Sequence, residues 1–329
     1  MSDSALIAGF DAGQTHSRCR LARVAPNGRR VVLAEGEGSG VSHLDAAGGE
    51  QRFSAAIASS FGAAWDALKQ QGGLDCTPGD LAAAAIGASG IEAGSSVQPR
   101  GERLAAAALG LRDTRVLVTG DERTALEGAR GSEPAGVLLI SGTGCIALGR
   151  NGTGALHRCG GWGWLLDGAG SACDIGRDGL ALSLQMADGR RRDTGLRAAL
   201  WASLGVATGD PGAPQTIKAL VVEPGFGAAG FARLAPVVHQ QALGGDADAL
   251  AIVQRSAQAL AVMASSIATH LRLNTPPIWV SGGALEHLTL LRNQLKVALT
   301  DHCPGAHLAP SAGDACDGAL QLAQTLTRR

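Results

Sequence analysis

Lysine is scarce in this chain, and its scarcity excludes one large class of nucleotide-binding proteins. The chain has 329 residues, and its lysines are Lys69, Lys218 and Lys296. None of them is followed by serine or threonine, so the glycine-rich loop that ends in Lys-Ser or Lys-Thr and binds phosphate in P-loop proteins is missing. If the chain binds a nucleotide, it uses another scaffold.

Four further features are missing from the sequence. The seven cysteines are widely spaced without a C-x-x-C pair, which disfavours structural zinc, ferredoxin-type and thioredoxin-type sites. The formal net charge of −1 argues against a dedicated nucleic-acid or acidic-membrane binder. No apolar run reaches the roughly 20 residues of a membrane span, and no basic segment of a secretory signal opens the chain. We therefore expect a cytoplasmic protein with no nucleic-acid or membrane partner.

The length and composition indicate a folded chain of two domains. A length of 329 residues is about twice that of a typical domain. Hydrophobic residues make up 45% and charged residues 17%, which excludes wholesale disorder. Glycine is abundant at 48 residues, and many glycines stand where an apolar run ends.

One pattern, an apolar strand followed by a small polar loop and a second strand, occurs twice. The first copy predicts strands over 5–10, 17–24 and 29–35, with the loop Asp11–Thr15 in its first hairpin. The second copy predicts strands over 137–140, 145–149 and 155–158, with the loop Ser141–Gly144. The copies lie about 130 residues apart, which favours two related lobes over a solenoid of shorter period.

Helices and further strands are predicted between and after these copies. Apolar side chains recur at helical spacing at Phe53, Ile57, Phe61, Trp65 and Leu68. The other predicted helices cover 102–109, 122–130, 172–205, 246–273, 285–299 and 317–327, and the other predicted strands cover 81–90, 115–119 and 278–280.

Four glycine-rich loops and two aspartates carry the chemistry. The loops are Asp11–Thr15, Ser141–Gly144, Gly160–Ser171 and Ser281–Ala284. Small residues at the end of a strand expose backbone N–H groups, which bind phosphate. The Asp11 carboxylate can hold Mg²⁺ directly or through water. Asp121 follows a strand, where it can accept a proton from a substrate hydroxyl, cap the next helix, or do both.

The order of these motifs resembles that of the sugar kinase/actin/heat-shock-70 ATPase superfamily. Within it, the chain resembles the N-acetylglucosamine kinase family, which shares a profile with the BadF/BadG/BcrA/BcrD ATPases. The resemblance extends from about residue 5 to residue 325. The segments that carry it are the first phosphate motif at Asp11–Thr15, the segment of the catalytic aspartate at Gly120–Ala125, the second phosphate motif at Leu139–Gly144, the amino-sugar kinase stretch at Gly160–Gly163, the adenosine motif at Val280–Gly283 and the closing G-A-L at Gly318–Leu320.

The resemblance implies a fold and a division into domains. The fold class is α/β: a two-lobed actin-like ATPase (ribonuclease H-like) fold, in which each lobe is a mixed sheet flanked by helices. The expected N-terminal lobe is 1–118, with the C-terminal helix 317–329 packing back on it, and the expected C-terminal lobe is 119–316. Homodimers are common in such families.

The resemblance also implies an activity and its residues. The activity is an ATP-dependent kinase that phosphorylates the 6-hydroxyl of N-acetylglucosamine or glucosamine, with Asp121 as the general base and with Mg²⁺ held by Asp11. The residues implied to bind the nucleotide are Asp11, Gly13, Gln14, Thr15, Ser141, Gly142, Thr143, Gly144, Ser281, Gly282 and Gly283. The residues implied to contact the sugar are Ser42, His43, Gly161, Trp162, Asp167 and Ser171.

The sequence departs from the family pattern in the loops implied to contact sugar, so alternatives stay open. The family's G-D-E-G-S stretch corresponds here to Asp167–Ser171, which reads D-G-A-G-S, so its aspartate stands one position earlier than in the family. In another loop, Ser42 stands where the family has asparagine. An ATPase activator of a reductase or dehydratase, as in the BadF branch, is one alternative. A non-catalytic sugar sensor is another. A different acceptor, such as a muramic-type amino sugar or glucose, would leave the mechanism unchanged.

Overall fold

The first of two sheets contains five strands. The computed structural model of the chain describes residues 4–72, 76–112 and 115–327. The strands of this sheet are β1 (Ala5–Ala12), β2 (His16–Val24), β3 (Arg30–Ser39), β4 (Leu81–Ala88) and β5 (Val116–Thr119). Their order is β3-β2-β1-β4-β5. The three strands β1, β2 and β3 form an antiparallel meander, whereas β4 and β5 run parallel to β1.

The second sheet repeats this topology. Its strands are β6 (Gly136–Ser141), β7 (Cys145–Arg150), β8 (Leu156–Gly160), β9 (Pro277–Ser281) and β10 (His307–Leu308). The order is β10-β9-β6-β7-β8, with an antiparallel meander of β6, β7 and β8 and with β9 and β10 parallel to β6. Both copies of the strand–loop–strand pattern therefore form the predicted meanders, and two mixed sheets flanked by helices confirm the predicted α/β class.

The helices surround these sheets. They are α1 (Gly49–Gln70), α2 (Gln98–Leu109), α3 (Asp121–Arg130), α4 (Ala172–Ala187), α5 (Gly195–Ser203), α6 (Ala213–Val221), α7 (Gly227–Ala232), α8 (Ala235–Leu243), α9 (Ala247–Leu271), α10 (Gly283–His287), α11 (Thr289–His302) and α12 (Ala315–Thr327). The five residues with helical spacing from Phe53 to Leu68 all lie buried on α1, as predicted.

The chain divides into two compact units. The first runs to Glu133 and includes the residues from Ser311 onward, and the second is Pro134–Pro310. The first unit extends beyond the boundary expected after residue 118 because α3 packs against α12 and so belongs with the first sheet. The second unit likewise ends before residue 316, because the turn before α12 contacts α3.

The first sheet is covered on both faces. Phe10 and Ile86 pack with Phe53 and Ile57 of α1 in one core. On the other face, Ile7 and Ala83 pack with Leu320 and Ala323 of α12. Gly9 lets α12 approach β1 closely, because a Cβ at this position would lie 2.6 Å from the backbone nitrogen of Leu320. The central strand β1 is thus fixed between two layers of helices.

Helix α9 is the central helix of the second unit. By length and composition alone it could cross a membrane, with 25 residues and a mean hydropathy of 1.2 in its most apolar window. The sequence expectation concerned uninterrupted apolar runs, and Gln254, Arg255 and Gln258 interrupt the apolar residues of α9. Leu260, Ala261, Ala264 and Ile267 are fully buried in the core of this unit. Core helices of soluble proteins meet the same criterion, so this helix is weak evidence for a membrane span.

Candidate functional site

The first group of candidate residues lies at one edge of the first sheet. The parallel strands β1, β4 and β5 end in register there, with Ala12 opposite Ala88 and Gly87 opposite Thr119. The carboxyl ends of parallel strands are where open α/β sheets usually bind ligands. Asp11 near the end of β1 and Asp121 just after β5 are thereby brought to the same edge.

The loop after β1 is held by backbone hydrogen bonds. The Gly13 N–H donates to the His16 carbonyl at 3.1 Å, and the Gly13 carbonyl accepts from the Val41 N–H at 2.9 Å. Gln14 and Thr15 are exposed, and the Gln14 side chain donates to Ser89 Oγ at 3.5 Å. This hairpin is tight and outward-facing, which suits a phosphate-binding turn.

Asp11 makes a contact that the sequence reasoning missed. Its Oδ2 lies 2.9 Å from Arg18 Nη2, and Arg18 Nη1 lies 3.2 Å from Asp314 Oδ2. The Asp11 side chain is 27% exposed. Arg18 faces Asp11 across the β1–β2 ladder, so the hairpin pattern alone could have identified the pair.

Asp121 occupies the first turn of α3. Gly120 is the N-cap residue, and Asp121 Oδ1 accepts the N–H of Glu122 at 2.9 Å. Burial is the largest influence on Asp121 and raises the pKa of its carboxyl, and the nearby charge of Asp11 raises it further. The hydrogen bonds from Glu122 act in the opposite direction without reversing the shift. Asp121 is therefore a half-buried carboxyl with an elevated pKa at a strand end.

Two buried hydroxyls lie in segments next to this edge. Among the described residues, neither Ser42 Oγ nor Thr119 Oγ1 has a hydrogen-bond partner. Thr119 ends β5, two residues before Asp121, and the sequence reasoning did not single it out. His43 is exposed, and its ring packs against the backbone of Gly90. A buried hydroxyl without a partner is costly, so both positions suit contacts with a bound polar molecule.

The second unit carries its own loop between β6 and β7. Thr143 and Gly144 are exposed, and the Gly142 N–H donates to the Gly144 carbonyl at 2.9 Å. The first N–H groups of α4 bond to this loop, from Ala172 to the Gly142 carbonyl at 2.9 Å and from Cys173 to the Thr143 carbonyl at 3.4 Å. The N-terminus of α4 therefore holds this loop by hydrogen bonds to its carbonyl groups.

The loop after β9 contacts the loop after β6. Strands β6 and β9 are parallel, with Ile140 opposite Ser281. Gly282 has a φ of +93°, and a Cβ at this position would overlap the Ser141 carbonyl oxygen. The Gly282 N–H donates to Glu286 Oε1 at 2.9 Å, and Gly283 is exposed. The loops Ser141–Gly144 and Ser281–Ala284 are thus adjacent within one unit.

Two serines predicted to bind ligand have structural partners. Ser141 is fully buried, and its Oγ donates to the Gly170 carbonyl at 2.6 Å. Ser171 is also fully buried, and its Oγ accepts the Asp174 N–H at 3.1 Å as the N-cap of α4. Both hydroxyls are therefore already used in holding the loop 160–171 and the helix after it.

The loop 160–171 exposes apolar side chains. Trp162 is 63% exposed, and the following Leu165 and Leu166 are 75% and 85% exposed. The Arg158 guanidinium lies 5.2 Å from the Trp162 ring centroid and donates to the Gly161 carbonyl at 2.9 Å. Asp167 is exposed, and its N–H donates to the Gly163 carbonyl at 2.9 Å. Trp162 and Asp167 are thus accessible on a glycine-rich loop.

One protein-family model and several known proteins match the chain. The model of the BadF/BadG/BcrA/BcrD ATPase family matches residues 8–316. An N-acetyl-D-glucosamine kinase of Dictyostelium discoideum is 31% identical over 192 residues. That alignment covers 57% of this chain and 59% of the relative, so the chain spans less than two thirds of the relative's length.

Two further similarities are longer. An N-acetylmuramic acid/N-acetylglucosamine kinase of Clostridium acetobutylicum is 24% identical over 213 residues, or 64% of this chain and 68% of the relative. The solved structure of a candidate N-acetylglucosamine kinase from Chromobacterium violaceum superposes with a TM-score of 0.67 at 26% identity. The superposition covers 97% of this chain and 99% of that one, which supports the actin-like kinase fold along the whole chain.

Proposed function

Because the chain belongs to the BadF/BadG/BcrA/BcrD ATPase family, we propose that it is an ATP-dependent sugar kinase whose acceptor is the 6-hydroxyl of N-acetylglucosamine or glucosamine. The relatives named as N-acetylglucosamine kinases support a sugar kinase, and the choice of amino sugar is the finer part of the proposal. The observation that carries it is Asp121, a half-buried carboxyl of raised pKa that shares a sheet edge with Asp11. We also propose a cytoplasmic location, and a homodimer stays a prediction.

Asp121 is the proposed general base. Phosphoryl transfer needs an acceptor hydroxyl in line with the terminal phosphate, and a base that takes its proton as the bond forms. A base works best when its pKa lies near the operating pH, and the shift of Asp121 is in that direction. Asp121 would accept the proton of the 6-hydroxyl, while Ser42, His43, Gly161, Trp162, Asp167 and Ser171 are the proposed sugar residues. Of these, Ser171 has the weakest support, because its hydroxyl already caps α4.

The glycine-rich loops are the proposed phosphate and adenosine contacts. Backbone N–H groups of Gly13–Thr15 and Gly142–Gly144, with the hydroxyls of Thr15 and Thr143, would bind the phosphates of ATP. Gln14 and Ser141 belong to the same loops. Ser281, Gly282 and Gly283 would contact adenosine, and the open surface at Gly283 suits a ligand approaching the backbone.

Asp11 fits a magnesium ligand by its chemistry. Its carboxylate is partly exposed beside the first loop, and Mg²⁺ prefers oxygen ligands from one or two carboxylates together with substrate phosphates and water. Within the described residues there is no group of three or more His, Cys, Asp or Glu that could hold a metal unaided. When bound, Mg²⁺ would neutralise part of the negative charge of the phosphates. Asp11 would hold it next to the loop.

The test is ADP release from Mg·ATP with a panel of acceptors. The panel is glucosamine, N-acetylglucosamine, N-acetylmuramic acid, glucose and no sugar, with Asp121→Asn as the matched inactive control. Stimulation by glucosamine or N-acetylglucosamine, lost in the control, is the expected result. Stimulation by N-acetylmuramic acid or glucose alone would support the proposed kinase activity and refute the proposed acceptor sugar. Absence of any stimulated release would favour a sugar sensor.

Release of ADP without sugar would point to the ATPase activators of the same family. Those carry an iron–sulfur cluster, whose ligands are cysteine thiolates. Burial raises the pKa of Cys145 to about 12, and burial also raises the pKa of Cys173. The cysteines lack an obvious cluster spacing, which favours the kinase. Iron content of the purified chain distinguishes the two functions directly.

A further inference from the structure

The proposed magnesium ligand is already paired in this structure. Asp11 Oδ2 accepts from Arg18 Nη2 at 2.9 Å. The other terminal nitrogen of Arg18 donates to Asp314 Oδ2 at 3.2 Å. One guanidinium therefore bridges the carboxylate at the end of β1 and a carboxylate just before α12.

The partner carboxylate of Arg18 is itself fixed. Arg20 donates to Asp314 Oδ1 at 2.9 Å and to Asp314 Oδ2 at 3.1 Å. Asp317 N–H donates to Asp314 Oδ1 at 3.0 Å, and Asp314 N–H donates to Asp317 Oδ2 at 3.1 Å, as in a capping box. Arg20 is only 11% exposed and also pairs with Asp317 and Glu35. Arg18 is thus anchored to a network of partly exposed carboxylates at the start of α12, which the largely buried Arg20 holds together.

We propose that Arg18 is a positioning residue that holds the Asp11 carboxylate in one orientation and offsets its charge, so that the chain without nucleotide binds divalent cations weakly. The inference rests on the proposed function, since it takes Asp11 as the magnesium ligand. A cation approaching Asp11 alone meets the positive guanidinium beside it. When nucleotide phosphates are bound, their negative charges outweigh that repulsion. The cation and the phosphates would therefore bind together.

This role differs from simple support of the fold. Arg20 donates three hydrogen bonds to Asp314 and Asp317, and Arg30 donates a fourth to the Asp317 carbonyl, so α12 is fastened to β2 and β3 without Arg18. A purely structural Arg18 would change stability when replaced, without changing cation affinity in a manner that depends on Asp11. The discriminating readout is therefore cation binding in the absence of nucleotide and sugar.

The experiment is a titration of the nucleotide-free chain with Mn²⁺, which accepts the same oxygen ligands as Mg²⁺, with the free ion measured by electron paramagnetic resonance. Arg18→Gln is expected to bind Mn²⁺ about three- to tenfold more tightly than the parent, from the loss of one adjacent positive charge. Arg18→Lys keeps the charge and should bind like the parent. The double variant Asp11→Asn/Arg18→Gln should lose the gain.

Several outcomes would overturn the inference. They are an affinity in Arg18→Gln equal to that of the parent, equal gains in Arg18→Lys and Arg18→Gln, and a gain that survives in the double variant. Arg18→Met keeps the aliphatic stem and is the second variant if Arg18→Gln fails to fold, with the same expected gain. Because the titration uses neither sugar nor ATP, its result is independent of the acceptor panel. A chain that phosphorylates no sugar can still meet or fail this test.

Discussion

At the scale of single residues, Asp121 has an environment typical of a catalytic carboxyl. Burial and the charge of Asp11 both disfavour its ionised form, and hydrogen bonds from Glu122 only partly compensate. In a folded protein this arrangement lowers stability at neutral pH, because the carboxylate would be better solvated in the unfolded chain. A position that costs stability and carries a proton acceptor is a candidate for function.

Replacing Asp121 with asparagine should separate catalysis from stability. We expect Asp121→Asn to lower turnover by about 10²- to 10⁴-fold, the usual contribution of a general base. Its melting temperature should equal or exceed that of the parent, because the replacement removes a carboxylate whose folded-state pKa is raised. Turnover with the best acceptor and calorimetric melting are the two measurements. Asp66→Asn, at an exposed aspartate on α1, should change neither. Near-parent turnover in Asp121→Asn would remove it from the role of base.

The acid limb of the pH profile should report the same carboxyl. A base must be ionised to accept a proton, and a raised pKa keeps Asp121 protonated to a higher pH than an ordinary aspartate, whose pKa is about 3.9. The value of kcat/KM should therefore fall on acidification at a pH clearly above 3.9. Added salt should move the limb toward lower pH, because it screens Asp11. A limb at the ordinary aspartate pKa would contradict this assignment.

At the scale of elements, segments with a regular spacing of apolar residues were predicted from the sequence, whereas segments without one were not. The two strand–loop–strand copies and α1 each have a strong periodicity, and all of them form as predicted. Helices α6, α7 and α8 were missed because they are short, at nine, six and nine residues, and because α7 is mostly alanine and glycine. The predicted helix 285–299 is two helices, α10 and α11, with a break at Leu288 that no glycine or proline marks.

In the candidate site, too, residues in local sequence motifs were predicted, whereas contacts made by tertiary packing were not. Asp11, Asp121 and the glycine loops carry local signals, because each follows a strand and combines small residues with a carboxylate or hydroxyl. The pairing of Arg18 with Asp11 could have been found from hairpin register. Asp314 could not, because it is 296 residues from Arg18 and is brought to it only by the packing of α12. Local patterns do not encode contacts that depend on tertiary packing.

Gly282 offers a test of how the two loops of the second unit depend on each other. Gly282→Ala should lower the stability of this unit by about 1–3 kcal/mol, because alanine is strained at a φ of +93° and its Cβ would overlap the Ser141 carbonyl. Affinity for ATP should fall with it, since the displaced backbone belongs to both proposed contact loops. Gly283→Ala is the matched control for stability, because a Cβ at this position would lie in ordinary contact with the His287 ring at 3.7 Å. Denaturant unfolding and nucleotide titration measure the two effects, and an equal loss of stability in the two variants would refute the packing argument.

At the scale of the whole molecule, one topology is used twice. Both sheets have an antiparallel meander joined to two parallel strands, and in each the glycine loop lies between the first two strands of the meander. Each unit has its own buried core, and the first is completed by residues from the far end of the chain. The repetition explains why the same kind of phosphate-type loop occurs in both halves of the sequence.

Two separate cores predict two unfolding transitions. Leu320 is 1% exposed in the core between the first sheet and α12, and Leu291 is fully buried in the core of the second unit. Leu320→Ala should lower the free energy of unfolding of the first unit by about 2–5 kcal/mol, because burial is lost and a cavity is left behind. Leu291→Ala should lower that of the second unit by a similar amount. Each variant should therefore shift only its own unit's transition to a lower temperature. Differential scanning calorimetry of the full chain resolves the transitions, and comparison of calorimetric with van 't Hoff enthalpies counts the cooperative units. If both variants shift one and the same two-state transition, the units unfold together. The two cores would then be separate in their packing but not in their unfolding.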